Sequence, residues 1–369
     1  MNVFSKLLAL TAFLAAVAAA KASAELRYET GEGGYMLAYG QFDPAYLSVD
    51  DGVSTTNEIV DNTNSNSRAG FWYRQITDSG EFSINLETSL GLRQSGLVSQ
   101  NKTPDSIDWQ RTNIRKVEAI WKDNRYGTIY LGQGSMSSDG ASGYDLSGTT
   151  LVLYNSIPDT AGAFQFRTTT GALSNKTITQ AFGSFDGGRK TRLRYDTPSF
   201  GGVRLSVSYG EEVLNKNVSE TVADVGLMYA EQVGSVSIVG GLAYSRNEFG
   251  DGVLRHSAVG SFSLLHDAGF NMTVAAGSRD EAGHYIYGKL GYQVKWFPLG
   301  KTAMAIDYYS GDGGTSKGSE STSIGIGIVQ SFDKANIQAY LGYREYSLTE
   351  IGTSYLDASS ILFGGRWRF

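Results

Sequence analysis

The chain has 369 residues, no cysteine and a formal net charge of -6, with 46 glycines, 22 tyrosines and 17 phenylalanines against five prolines. An acidic balance gives no support for nucleic-acid binding, which needs a clustered basic surface, and the missing cysteines exclude a disulfide framework. Glycine-rich, aromatic-rich and proline-poor composition suits many strands joined by tight turns and suits a helical bundle poorly.

Residues 1–24 carry Lys6 near the start, an apolar stretch over 7–20, and Ala22-Ser23-Ala24 before Glu25. This is the pattern of a secretory signal peptide cleaved after Ala24; the stretch is too short, and too soon broken by Lys21, for a membrane anchor. Cleavage removes Lys6 and Lys21, leaving 29 basic against 37 acidic side chains, a net charge of -8. Residues 25–369 read as one domain. They hold no run of about 18 apolar residues, so a membrane location requires a closed barrel that leaves no backbone group unpaired in lipid.

Polarity alternates with a period of two in stretches of about ten residues, as in a barrel wall with lipid outside and water inside. The clearest case is 81–93. Phe82, Ile84, Leu86, Thr88, Leu90 and Leu92 share one face, and Glu81, Ser83, Asn85, Glu87, Ser89, Gly91 and Arg93 the other. In chain order the predicted strands are 34–50, 66–77, 80–93, 110–122, 126–134, 188–197, 202–212 and 220–231, then 234–247, 253–266, 269–280, 283–297, 301–311, 320–332, 335–347 and 357–369. Sixteen antiparallel strands make a transmembrane β-barrel wide enough for a water-filled lumen. The last ends on Arg366-Trp367-Arg368-Phe369, with aromatics on the lipid face and guanidiniums on the wet one.

Tight turns, as at 78–80, 122–125, 198–201, 266–269 and 333–334, alternate with longer polar links, as at 51–65, 94–108 and 311–319. The short ones belong on the periplasmic side and the long ones outside the cell. The link at 135–187 is out of scale, because a structureless loop of that size is not expected in a compact domain. It is predicted to fold into the lumen as a constriction. Its first part, 135–166, holds Asp139, Asp145 and Asp159 without Lys, Arg or Glu, together with apolar Leu151-Val152-Leu153.

Strand parity aims Arg74, Arg93, Lys116, Lys190, Arg192 and Arg194 inward, opposite those aspartates. Carboxylates and guanidiniums facing each other across a narrow opening set up a transverse field that sorts hydrated ions and polar solutes. Because Arg115 and Lys116 are adjacent, parity sends one of them out, and apolar Val117, Ala119 and Trp121 assign that direction to Arg115. Inward Ser235, Ser237, Gly241, Ala243, Thr273, Ala275 and Gly277 are expected to keep their side of the lumen open; inward Leu362 has no place in such a pore.

The signal peptide, Tyr39-Gly40-Gln41-Phe42-Asp43 in the first strand, the long third loop, Arg194-Tyr195-Asp196-Thr197-Pro198-Ser199-Phe200-Gly201-Gly202 and the terminal Phe369 follow one another in a characteristic order. That order resembles the Gram-negative general porins, nearest their alphaproteobacterial, Rhodobacter-type members. The resemblance implies a homotrimer among outer-membrane lipids, with the third loop as an eyelet and Phe369 read by the barrel assembly machinery. It also implies passive diffusion of small hydrophilic solutes and ions, with no cofactor. The basic ladder of the family is denser than the residues found here. A net charge of -8 leans toward weak cation preference, which a basic wall would oppose.

Two other readings were weighed. A substrate-selective channel for sugars or small acids would stack its solutes on inward Trp72, Tyr285, Tyr287 and Tyr340. An enzyme is not expected, since His256, His266 and His284 lie in no nucleophile motif. Gly132-Gln133-Gly134 lacks the context of a nucleotide loop, and Asp312-Gly313-Gly314 is not a defined calcium loop.

Overall fold

The computed structural model describes residues 26–31 and 33–369; the signal-peptide reading of 1–24 lies outside them. The first strands are β1 (Leu26–Gly31), β2 (Gly34–Phe42), β3 (Pro44–Asp50), β4 (Thr55–Asp61), β5 (Arg68–Ile76) and β6 (Gly80–Ser89). There follow β7 (Ile114–Asp123), β8 (Gly127–Ser135), β9 (Gln165–Arg167), β10 (Leu173–Thr177), β11 (Arg189–Asp196) and β12 (Val203–Glu211). The long strands β13 (Glu220–Val233), β14 (Val236–Phe249), β15 (Leu254–His266), β16 (Phe270–Arg279) and β17 (Gly283–Phe297) come next. Last are β18 (Gly300–Asp312), β19 (Glu320–Phe332), β20 (Ile337–Glu350), β21 (Thr353–Ser354) and β22 (Ala358–Arg368).

Sixteen staves form the barrel. β2 with β3 is the first and β4 with β5 the second, followed by β6, β7, β8, β11–β20 and β22. Each stave is antiparallel to its neighbours, and β22 returns to β3 and the end of β2. Closure runs to the final residue: Gly40 N–H donates to Phe369 O at 2.9 Å, and Phe369 N–H to Gly40 O at 3.1 Å. A closed sheet of this kind leaves no free edge among its staves, the condition for crossing lipid with strands. The period of two is kept along the wall, so that Leu205, Val207 and Tyr209 are exposed outside while Ser206 and Ser208 are buried inside.

Three local features depart from the sequence reading. Residues 55–61, expected in a loop, form β4 and pair with β3, so the second stave is longer than 66–77 and broken in the middle. The break is a 3-10 turn at Thr63–Ser65, capped by the Asn62 side chain, which accepts the Asn64 N–H at 3.1 Å. The third stave ends at Ser89 and not at 93, because Gly91 turns the chain with φ +67° and leaves Leu92 bridged to Ile107.

The third departure is a β-bulge. Glu87 faces Lys116 while Thr88 faces Ile114, so Arg115 is an extra residue in β7. Alternation restarts after a bulge, and both adjacent cations turn to the lumen. Arg115 Nε lies 2.6 Å from Glu87 Oε1, and Lys116 Nζ 3.8 Å from Glu118 Oε1. The outward assignment of Arg115 is thereby corrected.

Between β8 and β11 the chain turns inside the barrel and crosses the wall from β12 to β20. Ser137 N–H donates to Ser208 Oγ at 2.8 Å on β12, and Ser138 N–H to Asp224 Oδ2 at 2.8 Å on β13. Tyr144 and Leu146 N–H donate to Ser261 and Ser263 Oγ on β15, at 2.8 and 2.9 Å. On the return, Ser321 Oγ of β19 donates to Ala181 O at 2.7 Å. These bonds satisfy backbone groups that would otherwise be stranded in a buried loop. The apolar core therefore sits within the lumen, where Leu151, Val152, Leu153, Phe164, Phe166 and Phe182 meet Leu47, Val49, Ala275, Val329 and Leu362. Leu362, unexplained by a pore alone, is wall surface for the loop.

Candidate pore constriction

Small residues on the inner wall make room for the loop. A Cβ on Gly241 would lie 2.4 Å from the Tyr144 ring, and one on Gly327 or Gly342 would lie 2.7 Å from Val152. Ala243 and Ala275 are likewise covered by the buried cluster. For Gly241, Ala243 and Ala275 the expectation that they hold the lumen open is corrected. They are small because another part of the chain lies on them.

The inner face of β5, β6 and β7, with the neighbouring ends of β8 and β11, is left to border the opening. Here Arg68 of β5, Arg115 of β7 and Arg189 of β11 form an arc, close enough for Arg68 to feel the charge of the other two and Arg189 that of Arg115. Glu87 of β6 lies between the first two, 3.6 Å from Arg68 Nε and 2.6 Å from Arg115 Nε. Tyr39 OH donates to Glu87 Oε2, the oxygen facing Arg68, at 3.0 Å. Arg189 Nε stands 4.0 Å from Asp139 Oδ2 at the start of the inserted loop. Arg115 and Arg189 line one cavity of about 560 Å³, together with Asn66, Gln133 and Asn113. The three arginine side chains keep 25%, 19% and 33% exposure, against 7% for Glu87 and 16% for Asp139, while Asp105, Asp108 and Glu212 border the same cavity.

The residues singled out by parity are spread over the barrel. Asp145 does not present its carboxylate to water: it is buried against Lys289 of β17, 2.6 Å away. Asp159 lines a second cavity of about 550 Å³ with Asp186, Arg279 and Tyr309. Burial pushes the Asp159 carboxyl up to about 7, and burial with the nearby Asp139 charge pushes Asp186 up to about 6.

On the wall, Arg74 sits at the short-turn end of β5, 3.8 Å from Glu81 and over the Trp72 ring at 4.6 Å. Arg93 lies past the end of β6, 3.1 Å from Glu58 and donating to Pro104 O at 2.6 Å. Arg192 is buried on Glu118 at 2.5 Å, and Arg194 is held by Asp196 at 2.7 Å and Met136 O at 2.8 Å. Lys190 bridges Glu212 and Glu220.

Arg68, Arg115, Arg189, Asp186 and Lys289 were missed. Arg68 shares the parity of Trp72 and Arg74 and was legible; Arg115 was hidden by the bulge, and Arg189 by its place at a strand end.

Of the four aromatics proposed as a track, Tyr285, Tyr287 and Tyr340 are buried. Tyr285 is buried between Phe185 and Tyr309, with centroids at 5.5 and 5.3 Å. Tyr287 OH donates to Asp307 at 2.8 Å and Tyr340 OH to Asp43 at 2.6 Å, both out of reach of a passing solute.

A closed sheet, apolar outside and charged within, with a lumen narrowed by its own inserted loop, is an outer-membrane channel. The family profile described as Gram-negative porin matches residues 8–350, and the chain belongs to that family. Among solved structures, the anion-selective porin from Comamonas acidovorans has a TM-score of 0.60 at 14% identity, covering 91% of this chain and 100% of its own. The trimer form of OmpT, an outer membrane protein of Vibrio cholerae, has a TM-score of 0.56 at 15% identity, covering 91% and 100%. Salmonella typhi OmpF in complex with daunomycin has 0.58 at 14%, covering 92% and 98%. No curated protein matches the chain.

Proposed function

We propose that this porin is a passive, energy-independent diffusion channel for small hydrophilic solutes, with the 135–187 loop as its constriction and a preference for anions. The observation that carries the reading is the accessible arc of Arg68, Arg115 and Arg189 on the wall left free by the loop. An ion in the lumen responds to the charges within about a Debye length, some 8–10 Å, and not to the net charge of the chain. The cation preference suggested by that net charge therefore gives way. Under a potassium chloride gradient the reversal potential of reconstituted channels should have the sign of chloride permeation; a potassium sign would sink the preference.

The same reading takes residues 1–24 as a cleaved signal and 25–369 as the barrel, with the long loops outside the cell. The protein assembles as a homotrimer, by analogy with the trimer form of the Vibrio cholerae relative, sits among outer-membrane lipids and offers Phe369 to the assembly machinery. Conductance steps arriving in threes are the expected sign of the trimer. Catalysis forms no part of this function: His256 is engaged with Asp280 at 2.9 Å on the exposed face.

A further inference from the structure

We infer that Leu97 is a specificity-determining residue of the channel, an apolar side chain planted by the loop after β6 at the junction of two lumen cavities, where it sets the size limit for solutes. The inference rests on the channel reading above.

Residues Ser95–Leu97 form a 3-10 turn in the link between β6 and β7. That turn is held from both sides. Ser95 Oγ donates to Asp159 O at 2.8 Å and lies 3.1 Å from Thr63 Oγ1. Gly96 N–H donates to Thr63 Oγ1 at 3.1 Å, and its carbonyl accepts the Ala163 N–H at 2.9 Å. A Cβ on Gly96 would stand 3.2 Å from Pro158 O, so glycine permits this approach. The turn is thus wedged between the short helix Pro158–Ala161 of the inserted loop and the break at Thr63–Ser65 in the second stave.

On this fixed perch the Leu97 side chain is 55% exposed, although the apolar residues around it, Val98, Ile157 and Phe164, are fully buried. Leaving an aliphatic group in water inside a barrel earns nothing for the fold. Leu97 borders both the cavity of about 550 Å³ that contains Asp159 and Asp186 and the cavity of about 560 Å³ that contains Arg115 and Arg189. Gln94, at the start of the same turn, does so too. The shared lining puts Leu97 on the boundary between the two cavities. The turn that carries it is bonded to two separate elements through Ser95 and Gly96, and an apolar edge in a narrow aqueous path disfavours fully hydrated ions.

The test is single-channel conductance, with liposome swelling in a series of sugars of rising size, on the full-length mature protein and on Leu97→Ala, Leu97→Trp and Leu97→Asn. Exposure makes all three tolerable to the fold, and retained heat-modifiable migration verifies it. Leu97→Ala should raise conductance and admit larger sugars, and Leu97→Trp should do the reverse. Leu97→Asn, with the same branched outline and number of non-hydrogen atoms, should keep the wild-type size limit. The assignment is overturned when Ala and Trp both behave as wild type, or when Asn moves the limit as far as Ala, which would make polarity and not size the cause. A wild-type protein that forms no conducting unit would instead refute the channel reading itself.

Discussion

Lys289 has no exposed side-chain surface; its ammonium is paired with Asp145 and lies within hydrogen-bonding reach of Ser147, Thr149 and the carbonyl of Leu153, all on one stretch of the inserted loop. Two charges removed from water cost several kcal/mol each, which only a close, well-bonded pair offsets. Lys289→Met leaves the Asp145 carboxylate buried alone and should destabilise the barrel by ~3–5 kcal/mol in urea unfolding, whereas Lys289→Met with Asp145→Leu should lose far less. Equal losses in the two variants would mean the pair is not what holds this stretch. On the open wall the effect is on ions: Arg115→Gln and Arg189→Gln should each lower the chloride-to-potassium permeability ratio, read from reversal potentials. Parity along β17 places Tyr285 and Tyr287 inward, and Lys289 shares that parity although it was not singled out. Nothing local connects position 289 to position 145, so the ion pair was beyond reach of the sequence.

At the scale of elements, the staves were legible because each writes its own two-faced pattern into about ten residues. The bulge in β7 was not, since one extra residue resets the parity on which the reading depends. Gly241 and Ala243 on β14 and Ala275 on β16 looked like the lining of an open pore and proved to be, with Gly327 on β19, a bed for the loop. Gly327→Val tests this directly. Its new atoms would meet Val152 and Leu153 of the loop; the displaced loop should raise conductance and admit larger solutes, while the barrel itself still forms. An unchanged conductance would place Val152 and Leu153 elsewhere in solution.

For the molecule as a whole, selectivity should depend on pH. Asp186, raised to about 6, and Asp159, raised to about 7, are neutral below those values and become anionic as pH rises through them. Around Asp186 stand Asp139, Arg189 and Arg279, and the N–H groups of Gly140 and Ser142 bond to it. The arginines keep their charge across this range. Anion preference should therefore fall between pH 5 and pH 8, followed as a shift in reversal potential; a flat profile or a rise would refute the assignment of these two carboxyls.

By itself the sequence determined that the chain closes a wall between lipid and water, how many staves that wall has, and which loop goes inside it. Alternation, turn chemistry and loop length are local properties, readable a few residues at a time. Which charges face the opening was decided only in three dimensions. Asp145 is spent on Lys289, Arg115 is turned inward by a bulge, and Arg189 meets Arg115 from a different strand. The first depends on where the inserted loop lies against the wall, joining residues 144 positions apart; the other two depend on the register between strands of the wall.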